Sequence, residues 1–152
     1  DLGGNGASMF FGGGRWVRYG QTKLANAAFT ACLHEKLQAS GSKVRALVAH
    51  PGLAETDLQS TTVREGGMGE WFTKQLMKTG QSREDGTLGI LTCIAHSDAQ
   101  SGQFFGPGMG GMFSALKGPA KGYPLEASYD NPSTREILWT NSCAAIGEDF
   151  NI

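Results

Sequence analysis

The chain has 152 residues, enough for one domain and too few for two large ones. Thirteen Lys and Arg stand against fourteen Asp and Glu, a net charge of −1. That balance supplies no basic stripe for a nucleic-acid backbone, and it equally excludes an acidic disordered chain.

Residues 1–14 hold six glycines and read as a loop. From 19 to 39, Leu24, Ala25, Ala28, Phe29, Cys32, Leu33 and Leu37 recur at helical spacing, and Gly41 supplies a stop. The run 44–49, Val-Arg-Ala-Leu-Val-Ala, suits a strand buried on both faces of a parallel sheet, and it ends at His50-Pro51-Gly52. A short amphipathic helix is expected over 70–78, carrying Trp71, Phe72, Leu76 and Met77. Ser82 is placed to cap a helix running to about His96, with Leu88, Leu91, Ile94 and Ala95 inward. A second strand is expected at 102–105, irregular chain from 108 to 131, and a last helix over 133–146 carrying Ile137, Leu138, Trp139 and Ile146. This order is the grammar of βαβ units, so the fold class is α/β, a single domain over 1–152. Two strands are fewer than an open α/β sheet needs, so strands that belong before Asp1 are expected to be missing. A start at Asp, with no initiator Met, fits a fragment, a processed chain or an incomplete reading frame.

No apolar run reaches the ~20 residues of a membrane span, and no signal peptide is present in these residues. Cys32, Cys93 and Cys143 are odd in number and widely spaced, which fits reduced buried thiols and a cytoplasmic location. His34, His50 and His96 have no metal-ligand spacing with one another or with the cysteines, so no metal site is expected.

Tyr19 and Lys23 lie four apart, one turn along one helix face. A phenol titrates near ~10, and an adjacent ammonium favours the phenolate, so such a pair can serve as an acid/base unit. The spacing alone is weak, because most such pairs are solvated surface residues. Gly106, Gly108 and Gly111 satisfy G-x-G-x-x-G, yet Pro107 interrupts the motif and no helix pattern follows, so this match is set aside as a phosphate site.

Taken together, Tyr19-Gly20-Gln21-Thr22-Lys23-Leu24-Ala25-Asn26 and His50-Pro51-Gly52-Leu53-Ala54-Glu55-Thr56-Asp57-Leu58 resemble the short-chain dehydrogenase/reductase family. The branch with the retinol dehydrogenases and the WW-domain oxidoreductase is the most similar. Ser101-Gly102-Gln103-Phe104-Phe105-Gly106-Pro107 resembles the family's last strand, and Leu138-Trp139 its tail. The resemblance covers nearly the whole chain but only the family's second half. It implies a truncated, doubly wound Rossmann-like fold with few parallel strands: the catalytic helix and the C-terminal half.

The activity implied is NAD(P)-dependent hydride transfer on a lipophilic or secondary alcohol or ketone. Tyr19 would be the general acid/base. Lys23 would assist it and bind the nicotinamide ribose. Pro51, Gly52, Leu53, Ala54 and Thr56 would hold the nicotinamide. The family's T-G-x-x-x-G-I-G turn and N-N-A-G segment are absent, and Ser8, in a glycine-rich loop, does not qualify as its catalytic serine. NAD or NADP would therefore belong to a complete parent, and this chain alone is expected to bind neither with useful affinity. Met68, Trp71, Phe72, Leu76 and Met77 fall where the family places a substrate-covering lobe, although core packing would explain them equally well. Two other readings stand beside the enzyme: an inactive unit that persists by self-association, and an enzyme assembled from two chains. A homodimer is expected, through the exposed edge of 44–49 or the helix 19–39.

Overall fold

The computed structural model describes residues 14–54, 63–64, 69–108, 116–125 and 130–149. The expectations placed on Ser8, Thr56, Met68, Gly111 and the loop 1–13 fall outside these, as does the Phe72 side chain.

The described residues form a mixed α/β fold with a three-stranded open sheet and five helices. The long helix α1 spans Gly14–Ala39 and starts earlier than the apolar periodicity implies. Its buried face is built from small side chains, Ala27, Ala28, Ala31 and Cys32, with Leu37 near its end. Small residues let a second helix approach closely, and α5 (Pro132–Ile146) does so, seating Leu138 against Ala28 and Cys32. Phe29 stacks on Trp139 with ring centroids 6.0 Å apart. The Cys32 thiol donates to the Arg135 carbonyl at 3.4 Å. Gly41, at φ +68°, ends α1: its N–H donates to Gln38 O and that of Ser42 to Leu37 O, the paired bonds of a glycine-terminated helix.

The strand expected over 44–49 is reduced to β1, Val48–Ala49, and it is half-buried rather than covered on both faces. Val44 is 65% exposed. Residues before β1 are tied to the 99–102 turn instead of a ladder. The Arg45 guanidinium donates to Ala99 O, Ala46 N–H to Ser101 Oγ at 3.0 Å, and Gly102 N–H to Ala46 O at 2.8 Å. β1 pairs in parallel with β2 (Gln103–Pro107), with Val48 opposite Phe104 and Ala49 opposite Phe105.

The stretch 108–131 is not wholly irregular. It contains β3, Ala120–Pro124, antiparallel to β2 and at the sheet edge. Glycine and proline hide this strand from a sequence reading, yet an edge position tolerates both. The Phe105 ring also covers the space left by Gly122 across the pair.

Helix α2 spans Glu70–Met77, and Trp71 on it is 74% exposed. Ser82 caps the next segment as expected, accepting the Asp85 N–H at 3.0 Å. That segment divides at Thr87 into α3 (Arg83–Gly86) and α4 (Leu88–Ala95). The inward face of α4 differs from expectation. Leu88, Leu91, Ile94 and Ala95 are exposed, Ile94 to 73%, while Gly86 and Gly89 are buried. The glycines explain this: a Cβ on Gly89 would stand 3.3 Å from Ala49 Cβ, and one on Gly86 would stand 2.8 Å from Ala54 Cβ. The helical segment lies against the sheet through its bare backbone, which turns its large side chains outward.

Helix α5 begins at Pro132, with Asn131 Oδ1 accepting the Thr134 N–H at 3.1 Å, and ends at Gly147, φ +74°. Leu138 is buried and Trp139 partly so, whereas Ile137 and Ile146 are exposed.

Candidate functional site

Parallel strands deliver their carboxyl ends to one side of a sheet, where open α/β folds bind ligands. Here β1 and β2 meet that condition, and the turn 50–54 lies across both ends. Gly52 adopts φ +65°, a region that L side chains rarely occupy. A Cβ there would also stand 2.5 Å from Leu116 O and 2.6 Å from Pro107 Cγ, so glycine is demanded twice over.

The turn is held from several directions. Leu53 N–H donates to Leu116 O at 2.7 Å, and Gln81 N–H to Leu53 O at 2.8 Å. The Gln81 side chain donates to Pro51 O at 2.7 Å and accepts the Gly118 N–H at 3.0 Å, joining the turn to the approach to β3. His50 closes it from within: its Nδ1 accepts the Gly52 N–H at 3.1 Å. The His50 ring lies against Phe104 at 5.1 Å between centroids and over Gly106, where any Cβ would overlap it. Burial pushes the His50 imidazole below its ordinary value of 6.5.

The carboxamide of a nicotinamide carries both donors and an acceptor. Leu53 N–H is already engaged, but the carbonyls of Pro51 and Leu53 each keep a second lone pair. Pro51 is exposed, and Gly52 and Leu53 are half-buried. These residues therefore suit the nicotinamide end of a dinucleotide as acceptors. The T-G-x-x-x-G-I-G pattern that would seat its pyrophosphate does not occur in the sequence.

Tyr19 and Lys23 lie near the start of α1. The Lys23 ammonium stands 5.3 Å from the Tyr19 ring centroid, and Tyr19 is 41% exposed. The pair is thus brought together on an accessible helix face. Thr22, between them, donates its hydroxyl back to Tyr19 O at 2.7 Å.

Gln81 has no place in the sequence reading, and nothing local marks it: its carbonyl partner lies thirty residues away. His50 is visible there only as a strand-end residue. In the set-aside glycine motif, Gly106 lies inside β2 and Gly108 packs against the Lys121 side chain, while Gly111 lies outside the described residues. A cleft of about 400 Å³ lies at the opposite end of the sheet, beside His34, Ser101, Gln103 and Pro124. Among the described residues, no group of three His, Cys, Asp or Glu side chains could hold a metal ion. No described helix is long and apolar enough to cross a membrane.

No protein-family model and no curated protein matches the chain. A solved structure does. It is the crystal structure of an uncharacterized protein from Mycobacterium Paratuberculosis, 26% identical, with a TM-score of 0.57. The match covers 90% of this chain and 41% of that one, so the chain spans about two-fifths of its length. The likeness fits the mixed α/β architecture and brings no activity with it.

Proposed function

We propose that this chain is the second half of a Rossmann-like short-chain dehydrogenase/reductase, carrying the acid/base pair and the nicotinamide end of an NAD(P) site. The observation that carries the reading is the Lys23 ammonium beside the accessible Tyr19 ring. The turn at the carboxyl ends of a parallel strand pair adds to it. In alcohol oxidation Tyr19 would take the hydroxyl proton, with the Lys23 ammonium 5.3 Å from its ring centroid. The nicotinamide, when bound, would take the hydride from carbon. The carbonyls of Pro51 and Leu53, with Thr56 and Ala54 near them in sequence, would orient the carboxamide. The substrate class is a lipophilic or secondary alcohol or its ketone.

The test is a titration with millimolar nicotinamide mononucleotide, which carries the reacting ring without demanding a pyrophosphate seat. Amide resonances of 52–54 and 19–23 are expected to shift together. Their standing still at saturating probe would defeat the reading.

A second reading, an inactive unit that persists by self-association, draws on two surfaces. Helix α4 carries no charged side chain and turns Ile90, Leu91 and Ile94 outward, and β1 is the sheet's other edge strand. Either reading permits a homodimer. Light scattering at micromolar concentration checks it, and a monomer there would remove the dimer.

A further inference from the structure

We propose that His50 is a positioning residue, whose neutral ring holds the Gly52 N–H and thereby fixes the backbone of the turn 50–54. A backbone N–H can only donate, so the Nδ1 it reaches must be unprotonated. The proton of the neutral ring then sits on Nε2, which faces the bare backbone of Gly106. Three features make this arrangement specific. Gly52 already holds a left-handed conformation that needs support, Gly106 is the one residue type that leaves room for the ring, and Phe104 flanks it.

Protonating Nδ1 removes the acceptor and leaves the Gly52 N–H facing a donor. Because burial holds the His50 imidazole below 6.5, its contribution is whole above that pH and is lost as the pH falls beneath it. Two charged groups stand on neighbouring elements: Asp85 of α3 lines the same small cavity, and Lys121 of β3 pairs opposite Gly106, while burial is what lowers the His50 imidazole. Helix α4, which also borders the ring, carries no charged side chain. The consequence for hydride transfer rests on the turn being the nicotinamide seat: an acidified protein would hold the ring's partners out of place.

The experiment is hydrogen exchange and nitrogen-15 shift of the Gly52 amide from pH 8 to pH 5, in the unchanged chain, His50→Asn and His50→Ala. Asn offers Oδ1 at the same reach from its Cα and does not titrate. The unchanged chain is expected to lose protection of Gly52 about tenfold, after correction for intrinsic exchange, as His50 titrates. His50→Asn is expected to stay protected throughout, and His50→Ala to be unprotected at every pH. A pH step that survives in His50→Asn, or Gly52 protection in His50→Ala, would overturn the proposal. Should the alanine variant not fold, the asparagine variant against the unchanged chain decides alone. The nicotinamide titration is a separate measurement, so an unmoved turn there would strike the functional reading and not this one.

Discussion

The two halves of the candidate site are held in opposite ways. The turn 50–54 is locked by contacts so close that Gly52 has no room for a single added carbon, and Leu116, Pro107 and Gln81 all reach into it. Tyr19 and Lys23 sit on an accessible stretch of α1, beside a Gly20 that has nothing within 4 Å of where a Cβ would be. One half is therefore specified by packing and the other by chemistry alone. Substitutions in the first should cost folding, and substitutions in the second should not.

The strongest test of that contrast is Gly52→Ala. A left-handed alanine costs about 1–2 kcal/mol and the clash with Leu116 O and Pro107 about 1–3 more. We expect a loss of about 3 kcal/mol in urea unfolding, and a loss below about 1 would break the comparison. Gln81→Ala removes one hydrogen bond to the same turn, at Pro51 O, and leaves the Gly118 N–H without its acceptor. It should cost about 1–2 kcal/mol, read by the same titration.

On the other half the sign reverses. Gly20→Ala has free space in a helix and should stabilise by about 0.5–1 kcal/mol, raising the urea midpoint. Tyr19→Phe should be smallest in stability, within about 0.5 kcal/mol, because the ring stays and the site is accessible. Under the proposed function it should nevertheless abolish alcohol–ketone turnover by a polypeptide in which these residues meet a complete cofactor site. A fully active Tyr19→Phe protein would end the assignment.

The sequence was legible wherever a single residue type settles local geometry. Gly41 marks the end of α1 and Ser82 the start of α3, because each supplies a conformation or an acceptor on its own. It was not legible where a partner decides. β3 exists because β2 offers it a ladder, and nothing within Ala-Lys-Gly-Tyr-Pro announces a strand. The α4 face was misread for the same reason: apolar side chains suggest an inward side, but Gly86 and Gly89 allow the helical segment to lie against β1 and the turn by its backbone. In the site, spacing alone sets Tyr19 and Lys23 on one helix face, and only the resemblance to a known family gives the pair a role. Gln81 was invisible because its role exists only after the chain has folded back on the turn.

The mixed sheet also has a consequence for the order in which the molecule forms. The antiparallel pair β2–β3 closes a short connection, while the parallel pair β1–β2 closes one several times longer, through α2, α3 and α4. Each doubling of a loop adds about 0.6 kcal/mol to its closure entropy, so docking β1 starts about 1 kcal/mol behind. With only two residues in its ladder, β1 recovers little of that. The β2–β3 hairpin should be the early scaffold, with β1 and the turn it carries arriving last. In refolding followed by pulse-labelled exchange, Phe104 and Tyr123 would then gain protection before His50, and the turn half of the candidate site would take its shape after the hairpin.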